Sequence, residues 1–197
     1  MKQLLTAAVF AALGASLVLA GPPLICHPFE IGQAESLPWG TGDGWNNPDP
    51  GYDLSRLVPE TLALLSPRTP VIVRMEAMRR ATIYASKKER MAADLLKKVR
   101  ERTTGAGAND SLAWFDAGYL TETYRQFNDL TRRAIPEGQD GYAWTLKAIA
   151  MGGDVAAMEY AASLIKAYSS WPNEHLRKAQ AAAKPGSLLS INLAKAQ

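Results

Sequence analysis

A single cysteine, Cys26, and two histidines, His27 and His175, are all that the 197 residues offer toward thiol or soft-metal chemistry. One thiol cannot close an internal disulfide, so stability has to come from a packed core, which a chain of this length can build. The sequence has no Gly-rich phosphate loop, no dinucleotide fingerprint and no Cys-x-x-Cys, so the enzyme and metalloprotein classes built on those motifs lack their parts. Charge of one sign is scarce as well. Lys and Arg number 22 against 19 Asp and Glu, a net of +3 that is too even to argue for a nucleic-acid partner. What is present, 47% hydrophobic and 21% charged residues, is the balance of a soluble globular chain.

The first twenty residues carry one charge, Lys2, and then an uncharged apolar run over residues 4–20 that closes on small residues at Val18 and Ala20. This is the pattern of a signal peptide, with cleavage predicted after Ala20. The run is Ala- and Gly-rich, shorter than the roughly 20 strongly apolar residues of a spanning helix, and Gly21-Pro22-Pro23 breaks it at once. The expectation is a secreted or periplasmic product with no stable membrane insertion after signal cleavage.

Residues 21–53 hold six of the 12 prolines and six of the 15 glycines, which predicts an irregular N-terminal arm. Leu24, Ile25, Phe29, Ile31, Leu37 and Trp39 are apolar anchors that a solvated linker would not carry, so the arm should lie across a helical body. Between residues 21 and 66 six acids face one base, Arg56, whereas residues 71–104 hold ten bases and four acids. Pairing of an acidic arm with a basic helix is the economical expectation.

From residue 54 the pattern is helical to residue 186. Leu54, Leu57, Val58, Leu62 and Leu65 predict a short amphipathic helix, and Thr69-Pro70 a cap for the next. The long segment after Pro70 should divide into helices over 70–84 and 87–102, since Ser86-Lys87-Lys88-Glu89 has capping-box spacing. Gly105 and Gly107 stop the second of these, Asn109 or Asp110 caps a helix running to Pro136, and Gly152-Gly153 with Asp154 separates two more. Ser170 with Pro172 should start the last, and residues 187–197 form a tail with no clear mate. The predicted fold is all-α, built of antiparallel helix pairs.

The segment WTLKAIAMGGDVAAMEYAASLI, through Trp144, Lys147, Ala148, Gly152, Ala156 and Ala161, resembles the junction between two Sel1-like repeats of the tetratricopeptide superfamily. Trp114 and Gly118 are spaced as in the first helix of such a unit. The resemblance implies a short solenoid whose groove holds a protein or peptide, and glycines that let paired helices approach. Trp114 and Trp144 lie 30 residues apart, short of the roughly 34-residue period, so an ordinary helical bundle is the alternative architecture. The arm is also similar to N-terminal segments of secreted bacterial proteins, which implies no activity.

The functional expectation is a non-catalytic binding or scaffolding protein, with no cofactor and no metal. Cys26, His27, Trp114, Tyr119 and Trp144 are its candidate binding residues. The alternative is thiol or metal chemistry at Cys26-His27, with His175 and a carboxylate completing a ligand set. Cys26 itself is expected to fill the core, ahead of staying a free thiol or forming an intermolecular disulfide. Carboxylates such as Asp116, Glu122 and Asp129 read as solvated helix residues, and Lys87, Lys88, Arg90, Lys97, Lys98, Arg100 and Arg102 as spread around polar faces.

Overall fold

The computed structural model describes residues 21–42, 44–132, 140–167 and 173–195, and in them the chain is all-α. The helices are α1 (Pro23–Cys26), α2 (Leu57–Leu64), α3 (Val71–Ala85), α4 (Glu89–Glu101), α5 (Ser111–Thr131), α6 (Gly141–Met151), α7 (Val155–Lys166), α8 (Glu174–Ala182) and α9 (Leu188–Lys195). Short 3-10 turns occur at Leu54–Arg56 and Gly105–Asn109. Among the described residues the β content is one antiparallel bridge, Trp39 with Pro48. None of the described helices is long and apolar enough to cross a membrane. The predicted signal segment and its cleavage point lie outside the described residues.

α3 is the central element. Every residue but Arg80 is buried, including Arg74, Glu76 and Arg79. A helix surrounded on all sides needs partners for such charges, and two networks supply them. Arg79 meets Glu76 with Nε at 2.8 Å from Oε2, and Arg80 meets Glu76 Oε1 at 2.7 Å. Arg74 Nη1 and Arg102 Nη1 both reach Asp116 Oδ2, at 2.6 and 2.9 Å.

The arm lies across this helix, with Leu24, Ile25, Phe29 and Leu37 in the core. Its attachment differs from the expected pairing of acids with bases. Arg79 donates to the carbonyls of Ile25 and Trp45, Arg80 to that of Leu37, and Tyr84 to that of Pro38, while Glu76 accepts the amide of Phe29. Glu30 instead pairs with Lys195, and Glu60 with Arg56. Backbone carbonyls do the work assigned to carboxylates because a Pro- and Gly-rich arm leaves many of them outside any regular ladder.

The C-terminal half packs in pairs. α5 and α6 run antiparallel: Trp114 meets Trp144, Gly118 meets Gly141 and Thr145, and Glu122 accepts the amide of Tyr142. A Cβ at Gly118 would stand 2.6 Å from the carbonyl oxygen of Gly141. α7 and α8 are likewise antiparallel, since Ser163 meets Asn173 while Glu159 meets His175 and Lys178. Gly152 and Gly153, both at φ 94°, make the turn into α7, and Asp154 caps it by accepting from Ala157. Asp110 caps α5 in the same way.

Several local expectations are corrected. Ser86 does not cap α4: it ends α3, its hydroxyl donating to the Ile83 carbonyl, and Lys88 occupies the cap position. α3 begins at Val71, and Pro70 rather than Thr69 is its N-cap. Asn173 caps α8, accepting from Leu176, whereas Ser170 and Pro172 fall outside the described residues. α5 stops at Thr131, where Arg132 takes the left-handed conformation at φ 55°; the stretch to Pro136 is outside the description. The tail has a mate after all. Leu189 and Leu193 are buried, and Asn192 exchanges hydrogen bonds with the backbone of Glu30, binding α9 to the arm.

Candidate functional site

Trp114 and Trp144 come together on the α5–α6 pair, ring centroids 5.8 Å apart and nearly perpendicular. The tight contact at Gly118 and Gly141 sets this approach. Trp114 donates its indole N–H to the Ala108 carbonyl at 2.9 Å, which fixes the ring. A cation sits over each indole: Lys147 Nζ is 3.3 Å from the Trp114 centroid, and Arg100 Cζ is 5.3 Å from that of Trp144. Burial lowers the pKa of Arg100, and its Nε and Nη2 have no acceptor. Beside it, Ala93, Leu96, Arg100 and Thr104 line an open recess on α4.

The outward face of α6 continues this surface with Ala143, Leu146, Lys147, Ala150 and Met151, all exposed. Four of these five are apolar, and Val155 follows at the start of α7, 37% exposed. A solvated helix ordinarily carries charge there, so the face is chemically incomplete in isolation.

Tyr119 does not join the two tryptophans. It is fully buried, stacked on Phe115 at 5.5 Å, and burial lifts its phenol well above the ordinary value. Five positions beyond Trp114 on a 3.6-residue helix it turns away from the α6 face into the core. Cys26 and His27 belong to the arm. Cys26 ends α1 rather than sitting in extended chain, and His27 is the extended residue after it. Cys26 is a free, half-buried thiol; burial raises its pKa, with the Arg79 charge opposing more weakly, so the reactive thiolate is disfavoured. Burial also lowers the pKa of His27, whose Nε2 is enclosed without a hydrogen-bond partner.

The ligand set imagined for a metal is not assembled. Among the described residues no three His, Cys, Asp or Glu side chains gather as metal ligands. His175 is engaged elsewhere, in a chain that no sequence spacing announced. Tyr142 on α6 meets its Nε2 at 2.7 Å, Glu159 on α7 holds its Nδ1, and Lys178 lies 3.7 Å from Glu159. Burial and the Glu159 charge push the Tyr142 phenol above its ordinary value, so it stays protonated and ties three helices together. Nor are Asp116 and Glu122 solvated. Both are buried; burial lifts Asp116 to about 6 against the opposing charges of Arg74 and Arg102, and raises Glu122 against Arg125.

No family model, no curated protein and no solved structure matches this chain.

Proposed function

We propose that the chain is a non-catalytic, secreted or periplasmic binding protein of tetratricopeptide-like helix pairs, and that its α5–α6 face holds a segment of another protein. The apolar outward face of α6, bordered by the Trp114–Trp144 pair, carries this reading. Aromatic anchors beside exposed aliphatics are the usual energetic centre of a protein interface. Lys147 and Arg100, each over an indole, leave positive charge beside this face, so the partner segment brings acidic side chains along with its apolar ones. Export rests on the signal-peptide pattern of residues 1–20. Burial of the Cys26 thiol, with no third ligand beside Cys26 and His27 among the described residues, makes thiol or metal chemistry the weaker reading.

The test uses a photo-crosslinker at Leu146 in the full chain, applied in envelope extract, followed by reconstitution with the purified partner. Leu146 is exposed, so Leu146→Asp should leave the melting curve unchanged while weakening that complex about tenfold. A partner bound equally well by Leu146→Asp and Lys147→Glu variants would refute the assignment of this face.

A further inference from the structure

The arm is anchored at its very start, beside the cleavage point predicted after Ala20. Pro22, Pro23, Leu24 and Ile25 are all buried, the last two with no exposed surface. Together with Cys26 they form α1 and its cap, which lie against α3, α5 and α7. Two of those helices hold the α1 backbone directly. The Leu24 amide donates to Gln126 Oε1 at 2.9 Å, and Arg79 Nη1 donates to the Ile25 carbonyl at 3.2 Å. Pro22 is fastened within the arm, its carbonyl accepting the amides of Ile25 and Cys26 at 3.1 and 2.9 Å.

Gly21, the residue on the far side of the bond to be cut, is curled rather than extended. Its φ of 93° lies in the left-handed region, and a Cβ there would stand 2.7 Å from Cys26 Sγ. A peptidase takes its substrate as an extended chain, with side chains around the bond set into pockets. In the folded molecule that requires Pro22 to leave its bonds and α1 to come away with it. Leu24 and Ile25 are then exposed, and Gln126 and Arg79 each lose a backbone partner. Cutting of a native chain follows the population of such an open form, which is small when buried apolar groups have to be exposed.

We propose, on the signal-peptide reading of residues 1–20 and independently of the α5–α6 face, that the Ala20–Gly21 bond is a processing site of the unfolded chain alone, so that a signal peptidase removes residues 1–20 before the arm docks. The helices that shut the site, α3, α5 and α7, all follow it in the chain. The bond therefore stays open until they have formed. A chain that folds first keeps its apolar leader, and processing competes with folding in each molecule.

The test gives the full chain, in detergent micelles, to a membrane signal peptidase in two ways: diluted from urea straight into the peptidase, or refolded first and then treated. Mass spectrometry follows the product that begins at Gly21. The refolded chain should be cut at least about a hundredfold more slowly than the chain met unfolded, because opening exposes two fully buried aliphatic side chains. A flexible Gly-Ser linker inserted between Ala20 and Gly21 should abolish that protection while leaving the melting curve unchanged. Ile25→Ala, which loosens α1, should speed the cutting of the refolded chain about tenfold. Equal rates for the two treatments, or protection that survives the linker, overturn the order of events. No product beginning at Gly21 from either treatment overturns the signal-peptide reading itself, and the order of events with it.

Discussion

The arm on α3 and the pair α5–α6 are held by different means. Around α3 the contacts are long-range and polar: Glu76 is shared by Arg79 and Arg80, and the two guanidiniums also reach three carbonyls of the arm. Between α5 and α6 the helices come close enough at two glycines for backbone to meet backbone, without an ion pair across the contact. The first arrangement gives register to a segment with almost no regular structure. The second gives close approach to helices that already have register of their own. A chain can thus hold an irregular strap as firmly as a helix pair, provided buried charges find their partners in the strap's own backbone.

The sharpest way to break the polar side is Glu76→Ala, which strands Arg79 without its carboxylate; we expect a loss of about 3–5 kcal/mol in urea unfolding. Glu76→Leu combined with Arg79→Leu should regain only part of that, because Ile25 and Trp45 then lose their donor. Full recovery would show that the arm does not depend on the guanidinium. On the close-packed side, Gly118→Ala forces a methyl into the Gly141 carbonyl and should cost about 2 kcal/mol, even after the gain in helix propensity. An unchanged unfolding midpoint would mean that the helices can separate freely. The smallest effect belongs to His27. Its imidazole is held below the usual range, so the unfolded chain binds the proton first on acidification. Stability is complete above the ordinary imidazole pKa and declines as pH falls through it. For a half-exposed ring the change between pH 7 and 5 should be under about 1 kcal/mol, and His27→Phe should remove it from the midpoint-versus-pH profile.

The contrast also explains what sequence reasoning could reach. α4 was legible because one face is apolar and the other charged, and the caps at Asp110 and Asp154 follow from short side chains placed before a helical run. The approach of α5 to α6 was legible in Gly118 and Trp114. The cover over α3 was legible as an arm docked on a basic helix, but its chemistry was not: Arg79 and Arg80 meet the arm's carbonyls and Glu76 on their own helix, not the arm's acids. Ser86 shows the limit of motif spacing, since its hydroxyl has a nearer acceptor in the Ile83 carbonyl. Of the candidate binding residues, the two tryptophans meet each other, whereas Tyr119 lies in the core because of its position on the helix. The Tyr142–His175–Glu159 chain carries no local signal, because its members stand 16 to 33 residues apart and meet only through the packing of three helices.

The link between Glu30 and Lys195 spans 165 positions. While the polypeptide is being made, or threaded end-first through a pore, the helix pairs can zip up as they emerge, but the seam beside His27 has to wait for the final turn of α9. Truncating α9 would thus leave that seam open and strip Leu189 and Leu193 from the interior.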